Sequence, residues 1–156
     1  MNSRKKNIFL VLLGLIAVAA GIIIYLFNMP HRDVKATKED YVLEASAIVA
    51  EYLKDPEKAN QKYLAEDGDS KIIVVSGVVS AISEDAQNNK VVLLKKDNEK
   101  TGVSCTMLSE EKDKVAQLKK GNIVKIKGVI QSGASFDEDL GMYEPAILNK
   151  CSIFQQ

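Results

Sequence analysis

Residues 72–82 read IIVVSGVVSAI, a run rich in valine and isoleucine with Gly77 in its middle, and this stretch decides the fold. Such a run suits a long strand on a pleated, buried surface, and a glycine inside it marks a sharp bend or a close backbone approach. The device recurs in IKGVI, residues 126–130, where Gly128 takes the same place. Two long strands, each bent at one glycine, are the elements of a sheet that curls until it closes on itself.

Working outward, residues 91–95 and 102–108 read as two further strands, separated by the polar turns at 85–89 and 96–100. SEEKDKVAQL, residues 109–118, breaks the β pattern. Ser109 is a helix N-cap, Glu110 and Glu111 suit the first turn, and Leu108, Val115 and Leu118 supply apolar contacts. Residues 123–131 and 146–154 then complete the order βββαββ. The predicted fold class is mainly β: a five-stranded OB-fold, a Greek-key barrel with a short helix between its third and fourth strands, over residues 65–156.

Residues 37–64 read as a helical segment. Tyr41, Ala45, Ile48 and Tyr52 fall on one face of a 3.6-residue period that Val42, Val49 and Leu53 widen, with Thr37 as the expected N-cap. Asp55 and Pro56 end that helix and start a second, reaching about Leu64 and carrying Ala59 and Tyr63 on its inner side. Residues 28–36, with Pro30 and mixed charges, read as a linker.

Residues 8–27, from Ile8 to Phe27, contain no charged side chain. About 20 residues at about 1.5 Å each match a bilayer's hydrocarbon thickness, so the expectation is one transmembrane signal-anchor helix. Arg4, Lys5 and Lys6 precede it, which keeps residues 1–7 in the cytoplasm and sends the folded part across. Ala17-Val18-Ala19 has the form of a signal-peptidase site, but cutting there leaves the apolar residues 21–27 at a new N-terminus, so an uncleaved anchor is favoured. No cysteine lies near this segment to take a lipid.

Composition narrows the function classes. Lysine plus arginine equals aspartate plus glutamate at 21 each, there is no tryptophan, and aromatics make up 6% of the chain. From Tyr63 onward there are about 12 basic and about 14 acidic residues, and the aromatics are Tyr63, Phe136, Tyr143 and Phe154, a poor surface for nucleic acid.

ANQKYL at 59–64, VVSGVVSAIS at 74–83, VSCTM at 103–107, LKKGNIVKIKGVI at 118–130 and LNKCSIF at 148–154 together resemble the tRNA_anti-like family. These are small bacterial envelope proteins with an OB-fold on a lipoprotein signal or one membrane helix. The resemblance implies the bacterial inner membrane as the location, single-pass, with the C-terminal domain on the extracytoplasmic side. It carries with it no demonstrated RNA binding, and the exposed aromatics and net positive face of anticodon-binding domains are missing from this sequence.

Cys105 and Cys151 are the two cysteines, each flanked by inward-type residues on the third and fifth strands. Those strands are neighbours in an OB-fold, and export exposes the thiols to oxidation, so a disulfide is expected over two buried free thiols. Closing a loop of about 45 residues would stabilise by up to about 4 kcal/mol in the chain-entropy model. Asp137, Glu138 and Asp139 lack EF-hand spacing, and the lone His31 has no ligand set around it, so no metal or cofactor is expected. No nucleophile with a base is visible, and the chain reads as non-enzymatic. Phe136, Leu140, Met142 and Tyr143 flank the acidic loop and are the candidate partner-binding residues, with folding back as a lid the even alternative. The expected function is a membrane-tethered OB-fold module binding a protein or another envelope component. The alternative is an OB-fold binder of nucleic acid or oligosaccharide.

Overall fold

The computed structural model describes residues 14–24, 33–65 and 70–154. The chain divides into two units, Met1–Arg32 and Asp33–Gln156. In the first, residues 14–24 are helical (α1), and Leu15, Ile16, Val18, Ile22 and Ile23 are exposed. No helix among the described residues is long and apolar enough to cross a membrane. The rest of the apolar run at 8–27, its basic flank and His31 lie outside the described residues.

The second unit is built on β2 (Ile72–Glu84), β3 (Lys90–Leu94), β4 (Val103–Met107), β5 (Ile123–Ser132) and β8 (Ala146–Ile153). They pair in the order β2-β3-β4-β8-β5, and β5 returns to β2, closing the barrel. The β4–β8 pair is parallel and the other four are antiparallel, which is the OB topology read from the sequence. β2 serves two partners in succession: residues 72–78 pair with β5, and residues 79–84 pair with β3. Both predicted glycines sit where neighbours come close. A Cβ on Gly77 would lie 3.0 Å from Leu94 Cβ, and one on Gly128 would lie 2.6 Å from Cys151 Sγ. Between β4 and β5, a 3-10 turn at Ser109–Glu111 runs into the short helix α4 (Lys112–Val115).

The interior is filled. Val79, Val92, Leu94, Val103, Cys105, Ile126, Ile130 and Leu148 from the strands share one core with Val115 of α4 and with Ala45, Ile48, Val49 and Tyr52 of helix α2 (Ala45–Lys54). A side chain at Gly133, just after β5, would overlap the Tyr52 ring. Helix α3 (Pro56–Tyr63) follows as expected, its Asp55 cap accepting from the Lys58 amide at 3.1 Å. Its Tyr63 is fully buried and donates its hydroxyl to Glu51 Oε2 at 2.9 Å.

Three expectations are corrected. The helix does not begin at Thr37: Tyr41–Glu44 is a strand, β1, lying parallel to β2 from Ile73 to Ser76. Where β2 gives one edge to β5, its other edge is beyond the reach of β3, and β1 satisfies those backbone groups. Asp40 clamps the start of β1, its amide donating to the Ile72 carbonyl at 2.7 Å and its carboxylate accepting from the Ile72 amide at 2.8 Å. The second correction concerns residues 33–36, which belong to the folded unit and are not a free linker. Asp33 Oδ1 caps a turn by accepting from the Lys35 and Ala36 amides, and Val34 is buried.

Two buried charges hold that entry segment on the barrel. Lys127 of β5 donates to the carbonyls of Lys35 and Thr37 and lies 3.6 Å from Glu39. Glu111, fully buried, accepts from Lys35 at 2.9 Å and Lys114 at 3.2 Å, and from the Ile153 amide at 3.4 Å.

The third correction is the acidic loop after β5, which is itself a two-stranded sheet, β6 (Ser135–Asp137) and β7 (Met142–Glu144).

Candidate functional site

The hairpin β6–β7 carries all four candidate binding residues. Its register pairs Ser135 with Glu144, Phe136 with Tyr143 and Asp137 with Met142. The turn is set by Asp137, whose Oδ1 accepts from the Leu140 amide at 2.9 Å, and by Gly141 at φ +63°, a conformation that suits glycine. A sequence signal for it existed: SFD and MYE alternate as strands do, around a turn ending in glycine.

The hairpin does not fold back. Phe136 is 48% exposed, Leu140 69% and Met142 54%, while the residues of the core are fully covered. The Phe136 and Tyr143 rings pack at 4.7 Å between centroids. Lys100, in the β3–β4 loop, braces them from outside, donating to the Tyr143 hydroxyl at 2.9 Å with its ammonium 4.8 Å from the ring centre. The result is a braced apolar projection set among Asp137, Glu138, Asp139 and Glu144.

Beside it lies the outer face of β3 and β4, the surface most used for ligands in OB-folds. The register lines up Ala81, Leu93, Ser104 and Ile147 in one row, and Ser83, Val91 and Thr106 in the next. No aromatic ring and no arginine stands in either row. Bases have nothing there to stack on, which is the usual source of affinity for single strands.

Cys105 and Cys151 are brought together as the strand order required. Both are fully buried free thiols in this structure. Burial, together with the Cys105 side chain in hydrogen-bond contact, pushes the Cys151 thiol well above its ordinary value. Gly128 leaves the space that Cys151 Sγ fills. A raised pKa and full burial both make the Cys151 thiol a weaker nucleophile than an exposed one. Among the described residues no group of three or more His, Cys, Asp or Glu side chains is placed to hold a metal ion.

The tRNA_anti-like family model matches residues 1–139. The chain belongs to the tRNA_anti-like family. The match takes in the N-terminal segment as well as the barrel through the first hairpin strand. Among solved structures, this tRNA_anti-like chain is similar to a protein of Klebsiella pneumoniae subsp. pneumoniae MGH 78578 described as a "putative nucleic acid-binding lipoprotein". That match has 16% identity and a TM-score of 0.54, covering 81% of this chain and 100% of the other. At that identity the likeness is one of fold. A second similarity, to OBody NL8 bound to hen egg-white lysozyme, has 18% identity and a TM-score of 0.38 over 55% of this chain and 97% of the other, too low to carry an argument. No curated protein matches. Family and fold agree on an OB barrel.

Proposed function

We propose that this chain is a non-enzymatic, membrane-tethered binding module of the bacterial cell envelope that takes a protein partner on the hairpin β6–β7. The observation that carries the reading is the exposure of Phe136, Leu140 and Met142 on a braced projection of a barrel whose interior is already filled. Clustered, exposed apolar side chains framed by charge mark protein contact surfaces, and their acidic frame selects a partner with basic residues around an apolar patch. The uncharged run from Ile8 to Phe27 and the basic residues before it support a tether with the domain outside the cytoplasm. In that compartment Cys105 and Cys151 become a disulfide.

A photo-crosslinking residue at Leu140 or Met142, in intact cells, tests the partner surface. The expected result is a discrete protein adduct from both positions and none from Lys58, exposed on α3. Absence of any adduct from the hairpin would sink the reading. The description of the Klebsiella protein favours a second reading, nucleic-acid binding, which predicts tight, salt-dependent binding of single-stranded oligonucleotides in fluorescence anisotropy.

A further inference from the structure

We propose that the outer face of β5 around Ile123 docks on the surface of an anionic phospholipid bilayer. The inference rests on the tethered reading above, and the test below separates the two.

Ile123 opens β5 and is 79% exposed, the largest exposure of any large apolar side chain among the described residues. It stands among lysines. Lys119 and Lys120 lie in the turn before it, Lys125 is on its own face two residues on, and Lys95 and Lys96 follow the end of β3. Two shallow clefts of about 150 and 290 Å³ share Val78, Lys95 and Lys96, and Ile123 lines the first while Lys120 lines the second, so these residues border one continuous surface.

The charges there are unbalanced. Lys96 is paired with Glu44 at 3.6 Å, and the Glu99 carboxylate accepts from the Lys96 amide. Asp97 adds one more negative charge. Lys95, Lys119, Lys120 and Lys125 have no carboxylate within ion-pair distance among the described residues. A protruding apolar residue ringed by uncompensated lysines fits a headgroup layer: the lysines meet lipid phosphates and the isoleucine enters between them.

The length of chain before the folded unit keeps this face within reach of a bilayer. Side chains on a strand alternate, so Ile123, Lys125 and Lys127 share one face of β5. Lys127 is the residue that pins the entry segment at Lys35 and Thr37. The apolar run ends at Phe27, and the few residues from there to Asp33 reach at most about 20 Å. Ile123 is about 14 Å along β5 from Lys127. A protein partner for this face would need acidic residues around an apolar pocket. The short tether makes the bilayer the surface that is always present.

The chain has no tryptophan, so Ile123→Trp gives a single reporter at an exposed site. The full chain is reconstituted in phosphatidylcholine vesicles with or without phosphatidylglycerol, some carrying brominated acyl chains. With phosphatidylglycerol at low salt, emission of the I123W indole should shift to the blue and fall at least about twofold with brominated lipid. Both effects should vanish in pure phosphatidylcholine, at high salt, and when Lys95, Lys120 and Lys125 are changed to Gln. A Lys58→Trp control on α3 should emit as a water-exposed ring throughout. Water-like emission of the I123W reporter in every vesicle, or equal quenching of the control, overturns the proposal. The tether is scored separately, by retention after an alkaline wash. A retained chain whose I123W reporter stays unquenched refutes the docking face alone, and a chain quenched before the wash but removed by it refutes the tether alone.

Discussion

Replacing Glu111 by Gln should destabilise the folded unit by about 1.5–3 kcal/mol at neutral pH. Glu111 is fully buried, and its two oxygens accept from Lys35 at 2.9 Å, Lys114 at 3.2 Å and the Ile153 amide at 3.4 Å. The lysines are nearly half exposed, at 47% and 43%, so solvent screens the pairs and holds the loss below that of a fully buried ion pair. Gln keeps the shape and one acceptor but loses the charge and places an amide NH2 opposite ammonium groups. The same geometry fixes a pH dependence. Burial works to raise the Glu111 pKa, but the bonds from Lys35, Lys114 and Ile153 outweigh it and the pKa is lowered. A carboxylate with a lowered folded pKa contributes stability above its unfolded value, about 4.3, and the contribution is lost as pH falls through the folded value. Urea unfolding of the domain from Asp33, followed by circular dichroism, should therefore show a wild-type stability that drops below about pH 4.5 and a variant curve that is flatter there. A Glu111→Gln variant within about 0.5 kcal/mol of wild type, or one with the same acid slope, would refute the assignment of Glu111 as the charge that anchors the entry segment.

Tyr52→Phe should leave stability unchanged or raise it by about 1 kcal/mol in the same assay, because the Tyr52 hydroxyl is buried with no partner among the described residues; a clear loss of stability would reveal a bond to this hydroxyl. Gly128→Ala should cost about 1–3 kcal/mol, since the new Cβ would lie 2.6 Å from Cys151 Sγ between paired strands, and a Cys151→Ala partner change should recover part of it. Leu140→Asp should change the urea midpoint little, as Leu140 is 69% exposed, yet abolish the hairpin crosslinks; unfolding instead would make the hairpin a structural element. A membrane-impermeant maleimide, applied after denaturation of the exported protein, should label Cys105 and Cys151 only once reductant is added, and labelling without reductant would show that the buried pair stays reduced.

The barrel was legible because its information is local. Alternation, β-branched runs and two mid-strand glycines mark each strand, and the five barrel strands fall within two residues of where periodicity put them. The same pattern also placed Cys105 and Cys151 on adjacent strands, and the chain order alone brought them together. The candidate binding residues Phe136, Leu140, Met142 and Tyr143 could be named, but not their exposure. Whether an apolar residue after β5 covers the barrel or leaves it depends on what else has filled the interior, and α2 with Tyr52 had already done so.

Elsewhere the sequence signal was ambiguous and tertiary contact resolved it. Tyr41-Val42-Leu43-Glu44 suits a helix face or a strand equally well, and the unpaired edge of β2 drew it into the sheet. Lys127 and Glu111 look like any charged residues on a strand and a turn. Only the fold laid Lys35 and Thr37 over them, burying two charges where composition predicts a solvated surface. Periodicity reports which side of an element is covered, so the sequence by itself determined the five barrel strands, their order and the closed barrel. What covers a face, and which face is left for a partner, depends on segments distant in the chain, and that was decided by the tertiary structure.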